Sequence, residues 1–498
     1  MLGAKDLSRR GVLKGAAGLT TASLFGGLYA QESAAAETIV GPLGFHNAPA
    51  SGIDNIALKN LFGKVPDGLQ GTLFRNGPGQ FSWGEERIGH WFDGDGFLRA
   101  FRFDENAVTL TGRFADTQKR RRDRSAGGFE TFGFGTIGNP DAGLRNADDA
   151  NAANTSVLMV GDDLWALWEA GSPFAVEPGS LASRGIKTIS PDLAHMPFSA
   201  HPKRSVDGSI WNFGAAFGYS KLFLWHLAPN GEVLRAELID LPRACYLHDW
   251  AMTETKLILP LQPWIASPGS TPQVSRLSWQ PDLGMQVLVI DKDDFSQRKI
   301  FDAPSKFFFH TGDAFEERDG TIRFDACISD EPTLDANAGG RILEGKRASR
   351  SEPVTALLTL HPNGQSSIDA TRFQGEFPRI DPRLVGQKDR KLFFVTGGAT
   401  LPDSSHRYNA VMSYDWKAQT EDLYDFGPNV LLEEHVFAPD PSHQSRGWLI
   451  GTGINVEKQA SEIYVFDAGS ISSGPIAAWQ AHSALPIGFH GVWSPARA

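Results

Sequence analysis

Residues 221–239 read KLFLWHLAPNGEVLRAELI, with two apolar segments on either side of a short turn. Lys221–Leu227 and Glu232–Ile239 are rich in branched and aromatic residues, a composition typical of β-strands. Pro229 precedes Asn230-Gly231, and this pair supplies the positive φ angles that a tight hairpin needs. The sequence here therefore predicts two antiparallel strands joined by a hairpin turn.

Similar short segments recur along the chain, whereas helical periodicity is scarce. Turn dipeptides of the same kind are found at Asp207-Gly208, Asp319-Gly320 and Asn363-Gly364. Further strands are predicted at Ser156–Val160, Ser209–Phe213, Lys256–Leu261, Gln286–Ile290, Lys391–Val395, Trp448–Gly453 and Glu462–Phe466. The pattern predicts a mostly β protein built from successive antiparallel hairpins.

The length of the chain restricts how these hairpins can be arranged. At 498 residues it is too long for a single sandwich, which leaves a propeller of several four-stranded blades or two β domains. No exact short repeat marks blades, but no Gly/Ser-rich or Pro-rich linker divides the chain either. We therefore favour one large closed domain over residues 37–498.

The composition excludes several classes of protein. With 41% hydrophobic and 11% aromatic residues the chain is not disordered, and after the N-terminus no apolar run approaches the roughly 20 residues of a membrane span. The net charge of −11 argues against nucleic acid as a partner. The two cysteines, Cys245 and Cys327, allow one bridge but no thiolate metal cage. Any metal must therefore be held by histidines and carboxylates.

The first 36 residues have the features of an export signal. Arg9-Arg10 precedes a mild apolar run over residues 16–30, and three alanines at 34–36 form a small-residue cleavage region. The paired arginines indicate a bacterial twin-arginine signal, with Val12 where that motif often has Phe. The alternative is an uncleaved helical anchor, for which the run is short. We therefore expect an exported, periplasmic protein.

Four of the 13 histidines lie in unusual surroundings. Their segments are Ala200-His201-Pro202, Tyr246-Leu247-His248-Asp249-Trp250, Phe307-Phe308-Phe309-His310-Thr311-Gly312-Asp313 and Gly488-Phe489-His490-Gly491-Val492-Trp493. Aromatic neighbours predict buried imidazoles, each of which needs hydrogen-bond partners or a metal. Spacings of 47, 62 and 180 residues match no local metal motif, but ligands from separate propeller blades would be this far apart. Taken singly, each is better explained as a hydrogen-bonded core histidine.

His90 is a further candidate ligand, in the segment His90-Trp91-Phe92-Asp93-Gly94. The segment is typical of a strand that enters a tight Asp-Gly turn. We therefore predict a structural role for His90 and leave it out of the ligand set.

Together these segments resemble the carotenoid cleavage oxygenase family, which contains non-haem iron enzymes that split polyene or stilbene double bonds. The matching motifs occur in the same order along almost the whole chain after the signal. Besides the four histidine segments, they are Gly71–Gly79, His90–Leu98, Asn154–Val157, Leu164–Pro178, Glu376–Asp381 and Glu434–Pro439.

The resemblance implies a seven-bladed β-propeller with one Fe(II) per chain on its central axis. It implies four iron ligands, namely His201, His248, His310 and His490. It also implies three carboxylates that accept hydrogen bonds from the ligand imidazoles, namely Glu169, Glu376 and Glu434. Such bonds fix the tautomer and orientation of a ligand ring. Four neutral imidazoles would leave the metal dipositive, with room for two more ligands.

The implied reaction adds both atoms of O₂ across a conjugated C=C bond of a carotenoid or apocarotenoid and gives two carbonyl products. Family members that cleave stilbenes use a Tyr and a Lys to engage the substrate phenol. Here Phe114 stands at the Tyr position and no lysine occurs between Lys119 and Lys187, which favours carotenoids over stilbenes. The scaffold would also suit a non-oxidative isomerase, and a different class of function is a non-catalytic propeller that binds a partner.

A basic run followed by aromatic residues lies at 119–138. We predict that the basic run, Lys119–Arg124, is a solvated loop, as charge runs usually are. The segment after it contains Phe129, Phe132 and Phe134. Exposed rings beside basic charges suit a peripheral contact with a membrane, where apolar polyenes partition. The alternative is an ordinary ordered loop.

Overall fold

The computed structural model describes residues 43–105, 107–269, 271–344, 352–399 and 408–496. The predicted export signal in residues 1–36 lies outside these ranges and stays a prediction. Over these ranges no helix has the length and apolar character that crossing a membrane would require. Two α-helices have both ends within these ranges, α1 (Gln118–Ala126) and α2 (Ala336–Leu343).

The described residues form 34 strands, so the fold is all-β as predicted. In chain order the first 17 are β1 (Ile53–Ala57), β2 (Lys59–Phe62), β3 (Gly71–Arg75), β4 (Ser82–Trp83), β5 (Glu86–Arg87), β6 (Phe97–Phe103), β7 (Val108–Phe114), β8 (Ser156–Val160), β9 (Asp163–Leu167), β10 (Phe174–Val176), β11 (Ser183–Ile186), β12 (Lys203–Arg204), β13 (Ile210–Ala215), β14 (Lys221–Leu227), β15 (Val233–Asp240), β16 (Ala251–Met252) and β17 (Lys256–Leu261).

The remaining strands complete the second half of the chain. They are β18 (Trp264–Ala266), β19 (Leu277–Trp279), β20 (Met285–Asp291), β21 (Arg298–Ala303), β22 (Phe307–Glu316), β23 (Ile322–Ser329), β24 (Val354–Leu360), β25 (Ser366–Gln374), β26 (Glu376–Arg379), β27 (Lys391–Thr396), β28 (Ala410–Asp415), β29 (Thr420–Asp425), β30 (Val430–Pro439), β31 (Gly447–Asn455), β32 (Ala460–Asp467), β33 (Ala477–Gln480) and β34 (Gly491–Pro495).

Seven sheets of the described chain are the blades of one β-propeller, as predicted. Blade 1 has the strand order β34-β3-β6-β7-β1, and blade 7 has the order β30-β31-β32-β33-β2. Blades 2 to 6 each come from one stretch of chain: β8–β11, β12–β15, β16–β17 with β20–β21, β22–β25 and β26–β29. The hairpins β4–β5 and β18–β19 are separate small sheets.

Both ends of the described chain close the ring. In blade 1 the C-terminal strand β34 pairs with β3, which places Trp493 opposite Leu73. In blade 7 the N-terminal strand β2 pairs with β33, which places Asn60 opposite Trp479. Backbone hydrogen bonds therefore close the ring at two places. One is the inner edge strand of blade 1, and the other is the outer edge strand of blade 7.

The strands predicted from the sequence are present. The predicted hairpin is β14 and β15, and Gly231 in its turn has φ +89°. The strands predicted at 156–160 and 256–261 have the same bounds as β8 and β17, and the others differ by at most two residues at an end. These predictions succeed because packing between blades buries both faces of the middle strands, which makes them nearly continuous apolar runs.

The basic run at 119–124 is not the solvated loop that its charge predicts. It forms most of α1, and Lys119 and Arg120 are each only 4% exposed. Lys119 Nζ is 2.9 Å from Asp95 and 2.8 Å from Asp123, and Arg120 Nη1 is 3.1 Å from Asp95. The prediction was wrong because the neutralising Asp95 lies on a separate segment, just before β6.

The aromatic segment at 127–138 is a loop, in agreement with the ordinary loop given as one of its two explanations. Phe129 and Phe134 are buried, Phe132 is half-buried, and Ile137 is the exposed apolar residue of this segment. The ring of Phe134 lies 5.4 Å from that of Phe92, inside the protein. The expectation of exposed rings is therefore wrong for Phe129 and Phe134, and a membrane contact stays a prediction.

Candidate metal centre

Strands from four separate blades bring the four predicted ligands together. His201 and His248 shortly precede β12 and β16, His310 lies within β22, and His490 directly precedes β34. These are the first strands of blades 3, 4 and 5 and the last strand of the chain, in blade 1. One nitrogen from each imidazole lies within 4.8 Å of those of the other three. The four segments, remote in sequence, thus form one cluster.

The imidazoles face each other in two close pairs. The Nε2 atoms of His201 and His248 are 3.0 Å apart, and those of His310 and His490 are 3.2 Å apart. Their side chains are between 5% and 12% exposed. The centre is therefore largely shielded from bulk water.

Three of the four imidazoles are hydrogen-bonded to a carboxylate through their other nitrogen. The Nδ1 atoms and their partners are His248 with Glu169, His310 with Glu376 at 2.6 Å, and His490 with Glu434 at 2.9 Å. An ionised carboxylate only accepts hydrogen bonds, so Nδ1 carries the proton in each of these rings. The three predicted glutamates thus fix the tautomer and leave a lone pair on Nε2.

In their neutral forms these tautomers suit a cation between the rings. When His310 and His490 are neutral and both donate from Nδ1, neither has a proton on Nε2 to offer the other across 3.2 Å. Two facing lone pairs repel each other, whereas a cation among the Nε2 atoms would be bound by all of them. Imidazole suits divalent iron, zinc, copper or nickel. The residues present therefore fit a divalent transition metal.

Burial and charge affect the ligand pKa values differently. Burial lowers the pKa of His201 well below its usual value, and the three neighbouring imidazoles lower it further. Burial also lowers the pKa of His490 to about 3 despite the opposing effect of Glu434. For His248, burial lowers the pKa, but the carboxylates of Glu169, Asp249 and Glu376 together outweigh burial, so the net pKa is raised. Neutral rings, as at His201 and His490, are the form that binds metal.

A network of buried charges holds Glu434 behind His490. Arg75 Nη1 is 3.1 Å from Glu434, and Arg379 Nε donates to the same carboxylate at 2.9 Å. Glu433, the preceding residue, pairs with Arg75 at 3.2 Å and with Arg99 at 3.4 Å. Burial raises the pKa of Glu434, but Arg379, His490 and Arg75 outweigh burial and leave the pKa below its usual range. The carboxylate is therefore ionised when it supports His490.

Tyr246 holds Glu169 in a similar way. Its hydroxyl donates to Glu169 Oε2 at 2.9 Å, and its ring lies nearly parallel to that of His248. Tyr246 lies two residues before His248 in the same sequence motif, but the motif alone did not predict that Tyr246 would bind Glu169. Its contribution, like those of Arg75 and Arg379, depends on contacts between blades that sequence spacing does not reveal.

A shell of aromatic rings extends from the cluster. Phe309 lies 5.1 Å from the His248 ring, and Phe92 lies 5.8 Å from Phe309. Phe92 is in turn 5.4 Å from Phe134 and 5.6 Å from Phe489. We call Phe92, Phe134, Tyr246, Phe309 and Phe489 the aromatic shell. These rings make the surroundings of the cluster on this side apolar.

Phe377, which lies beside the histidine cluster, has an unusual backbone conformation. Its φ is +58°, a left-handed conformation that is uncommon for a residue with a bulky side chain. The conformation places its ring 5.2 Å from His310, nearly parallel, and 5.4 Å from His490. Strain of this kind persists only where surrounding contacts compensate for it, and it is concentrated at functional sites.

Two residues considered from the sequence lie outside the cluster. His90 has a structural role, as predicted, but the strand predicted for its segment is absent: His90 caps the short 3₁₀ helix at Trp91–Asp93, with Nδ1 accepting from the Phe92 amide at 3.1 Å. Phe114 packs against Phe97, with the Arg120 guanidinium 3.5 Å above its ring. Cys245 and Cys327 are both free and buried.

The fold and site define a seven-bladed β-propeller with a four-histidine centre suited to a divalent metal. The chain belongs to the family described as retinal pigment epithelial membrane protein, whose model matches residues 47–495. This confirms the family predicted from the motifs, in which carotenoid oxygenases are included. Given this family and the relatives below, the chain is an enzyme like the carotenoid cleavage dioxygenases.

Relatives and a solved structure match over nearly the whole chain. Apocarotenoid-15,15'-oxygenase of Synechocystis sp. is 28% identical, over 88% of this chain and 93% of the relative. Lignostilbene-alpha,beta-dioxygenase isozyme III of Sphingomonas paucimobilis is also 28% identical, over 87% and 93%. The crystal structure of cobalt-substituted Synechocystis ACO superposes with a TM-score of 0.80 at 26% identity, and covers 91% of this chain and 98% of that one.

Proposed function

We propose that the chain is an Fe(II)-dependent dioxygenase that cleaves a conjugated C=C bond of a carotenoid or apocarotenoid with O₂. Ferrous iron held by His201, His248, His310 and His490 would supply the activation of O₂, and the products would be two carbonyl fragments. The observation that carries this proposal is the convergence of one nitrogen from each of the four imidazoles, with the Nε2 atoms of His310 and His490 3.2 Å apart.

The residues around the cluster support an oxygenase that uses no protein nucleophile. The carboxylates nearest the ligands are engaged by imidazoles: Glu169 binds His248, Glu376 binds His310 and Glu434 binds His490. These groups orient ligands rather than attack a substrate. The tasks left to the chain are to place one double bond beside the metal and to exclude water.

The aromatic shell supports an apolar substrate. Phe309 and Phe377 contact the ligand rings directly, and Phe92, Phe134 and Phe489 extend the apolar surface away from them. A polyene has no groups that need hydrogen-bond partners along its length. Burial of such a chain against phenylalanine rings is therefore favoured by the hydrophobic effect.

The surroundings of Phe114 favour carotenoids over stilbenes. A phenylalanine offers no hydroxyl to a substrate phenol at the position where stilbene-cleaving members carry Tyr. Arg120, whose guanidinium lies 3.5 Å above the Phe114 ring, is already paired with Asp95, and so is Lys119. Lys119 is also paired with Asp123, so neither cation is available to a phenolate without breaking a buried ion pair.

Metal analysis of anaerobically purified protein tests this proposal. We expect about one iron per chain in the wild type and a loss of iron in His310→Ala, because that variant removes one of four ligands. The matched control is His482→Ala, which removes an exposed histidine outside the cluster and should keep the iron. Absence of iron from the wild type after reconstitution with ferrous salt would instead support a non-catalytic propeller.

The iron-loaded protein should then be incubated under air with a carotenoid, an apocarotenal and a stilbene. We expect carbonyl products from a polyene in the wild type and in His482→Ala, but not in His310→Ala. Products from the stilbene alone would favour a stilbene dioxygenase of the lignostilbene type. A geometric isomer without oxygen incorporation would identify the scaffold as an isomerase.

A further inference from the structure

His201 differs from the other three histidines in how it is held. Its Nδ1 atom has no glutamate partner; the carboxylate near it is that of Asp249, at 3.8 Å, beyond hydrogen-bonding distance. Its backbone oxygen instead accepts a hydrogen bond of 2.8 Å from Trp250 Nε1. The segment that follows His248 therefore holds His201 through its main chain.

Asp249 connects three of the strands that carry ligands. Its Oδ1 is 2.7 Å from Lys203 Nζ and accepts from the backbone N–H of Trp250 at 2.8 Å. Its Oδ2 accepts from the backbone N–H of Thr311 at 2.8 Å. Asp249 directly follows His248, Thr311 directly follows His310, and Lys203 lies two residues after His201. One carboxylate is thus bonded beside three ligands, which come from blades 3, 4 and 5.

The contacts around Asp249 form a closed set. The Thr311 hydroxyl donates to the backbone oxygen of Trp250 at 2.6 Å, and Trp250 donates from its indole to His201. Asp249 is only 2% exposed, so its hydrogen bonds are made away from competing water. A buried carboxylate with all its donors in place fixes the positions of the groups around it.

We propose that Asp249 is a positioning residue, which sets the spacing of His201, His248 and His310 and so tunes the metal affinity and geometry of the centre. Lys203 acts through it, by balancing its buried charge. This inference rests on the proposed function only in that the four histidines must bind a divalent metal. It concerns a residue that contacts neither substrate nor metal.

The test compares Asp249→Asn with wild type in the full chain. Two quantities are measured anaerobically: Co²⁺ and Fe²⁺ affinity by competition with a chelator, and the visible absorption of bound Co²⁺, which reports ligand geometry. We expect affinity to fall about 10- to 100-fold and the Co²⁺ bands to shift, as is typical when a group that orients ligands is changed. Far-ultraviolet circular dichroism should show that the apoprotein keeps its β fold.

The matched control is Asp148→Asn. Asp148 is also a buried carboxylate, which accepts from Ser172 N at 2.7 Å and contacts His195 Nδ1 at 2.8 Å, but it touches none of the four ligands. We expect its replacement to disturb packing near Ser172 in blade 2 without removing a hydrogen bond to any of the four ligands. We expect this variant to keep the wild-type affinity and Co²⁺ spectrum, which separates a positioning role from general destabilisation.

Lys203→Met provides a second test, because Lys203 is 20% exposed and its replacement leaves the backbone hydrogen bonds to Asp249 in place. We expect a smaller loss of affinity, and little further loss when the change is added to Asp249→Asn, since the two residues act together. Wild-type affinity and spectrum in a folded Asp249→Asn, or in Lys203→Met if Asp249→Asn does not fold, would overturn the inference. A wild-type protein that binds neither metal would overturn the proposed function itself.

Discussion

Glu434 and Glu169 have different surroundings, although each is bonded to a ligand imidazole. Glu434 is 1% exposed and also forms ion pairs with Arg75 and Arg379. Glu169 is 24% exposed, and its other hydrogen bond comes from the Tyr246 hydroxyl. A buried carboxylate paired with cations supports the fold as well as the ligand. A partly exposed one supports the ligand alone.

We therefore predict that Glu434→Gln and Glu169→Gln separate metal affinity from stability. Both should weaken metal binding, by about 10- to 100-fold. Glu434→Gln should also destabilise the apoprotein by about 3 kcal/mol or more, because Arg379 and Arg75 lose a buried partner. Glu169→Gln should cost the apoprotein under about 1 kcal/mol, as is usual for partly exposed sites. Chelator competition and urea unfolding measure the two effects; equal losses of apoprotein stability would contradict the distinction.

His90 should make stability depend on pH. Burial lowers its pKa to about 4, against the raising effects of Asp93 and Asp335, whereas the usual value is 6.5. Between these values the unfolded chain binds the proton and the folded chain does not, so the free energy of unfolding falls as pH falls from 6.5 to about 4. The loss from this one residue is about 3 kcal/mol. Below pH 4 it contributes no further slope.

The variant that checks this prediction is His90→Asn. Asparagine keeps an oxygen that can accept from the Phe92 amide but does not titrate in this range. Urea unfolding of the apoprotein should therefore show a shallower loss of stability between pH 6.5 and 4 than the wild type shows. If the free energy of unfolding falls equally with pH in the two proteins, His90 does not cause the expected loss of stability.

Strand β34 closes the ring and also directly follows one of the four proposed ligands. It pairs with β3, and His490 directly precedes it. Trp493 in this strand is 9% exposed and lies 5.7 Å from the Phe103 ring. The packing of one residue therefore affects both ring closure and the position of a ligand.

We predict that Trp493→Ala lowers the free energy of unfolding by about 3–5 kcal/mol, the usual cost of removing a large core side chain. It should also weaken metal binding, because the strand after His490 is no longer held firmly. Thermal unfolding with and without metal measures both. The control is Leu238→Ala, on the outer strand β15, where Leu238 is 60% exposed. If Trp493→Ala unfolds at the same temperature as this control, β34 does not fasten the ring.

The elements show what the sequence could predict. Lys221–Leu227 was identifiable because an apolar run ends at an Asn-Gly turn, and this local signal is enough for a hairpin. The basic run at 119–124 was misinterpreted because the charge of Lys119 is neutralised by Asp95, which is remote in sequence. Local composition predicts strands and turns well, but it does not show which charges become buried pairs.

In the whole molecule, the candidate site likewise combines residues that the sequence predicted with residues whose roles depend on contacts between blades. The four histidines and three glutamates were predicted through the family resemblance, since no local spacing joins ligands from four blades. Arg75, Tyr246 and Asp249 lie within the family motifs, yet their roles could be identified only from contacts that form when the ring closes. Their partners lie on other blades, so the pairing exists only after the propeller has formed.

A metal bound at the centre would cross-link blades 1, 3, 4 and 5, because each of these blades provides one ligand. The unfolded chain cannot present these four histidines together, so metal binding should stabilise the folded ring. At a free metal concentration 100 times the Kd, the expected gain is about 2.7 kcal/mol. We therefore predict that Fe²⁺ or Co²⁺ raises the Tm of the apoprotein, increasingly with concentration, and that a chelator reverses the effect. His310→Ala should show no such shift under the same conditions, whereas an equal shift in that variant would mean that the metal binds elsewhere.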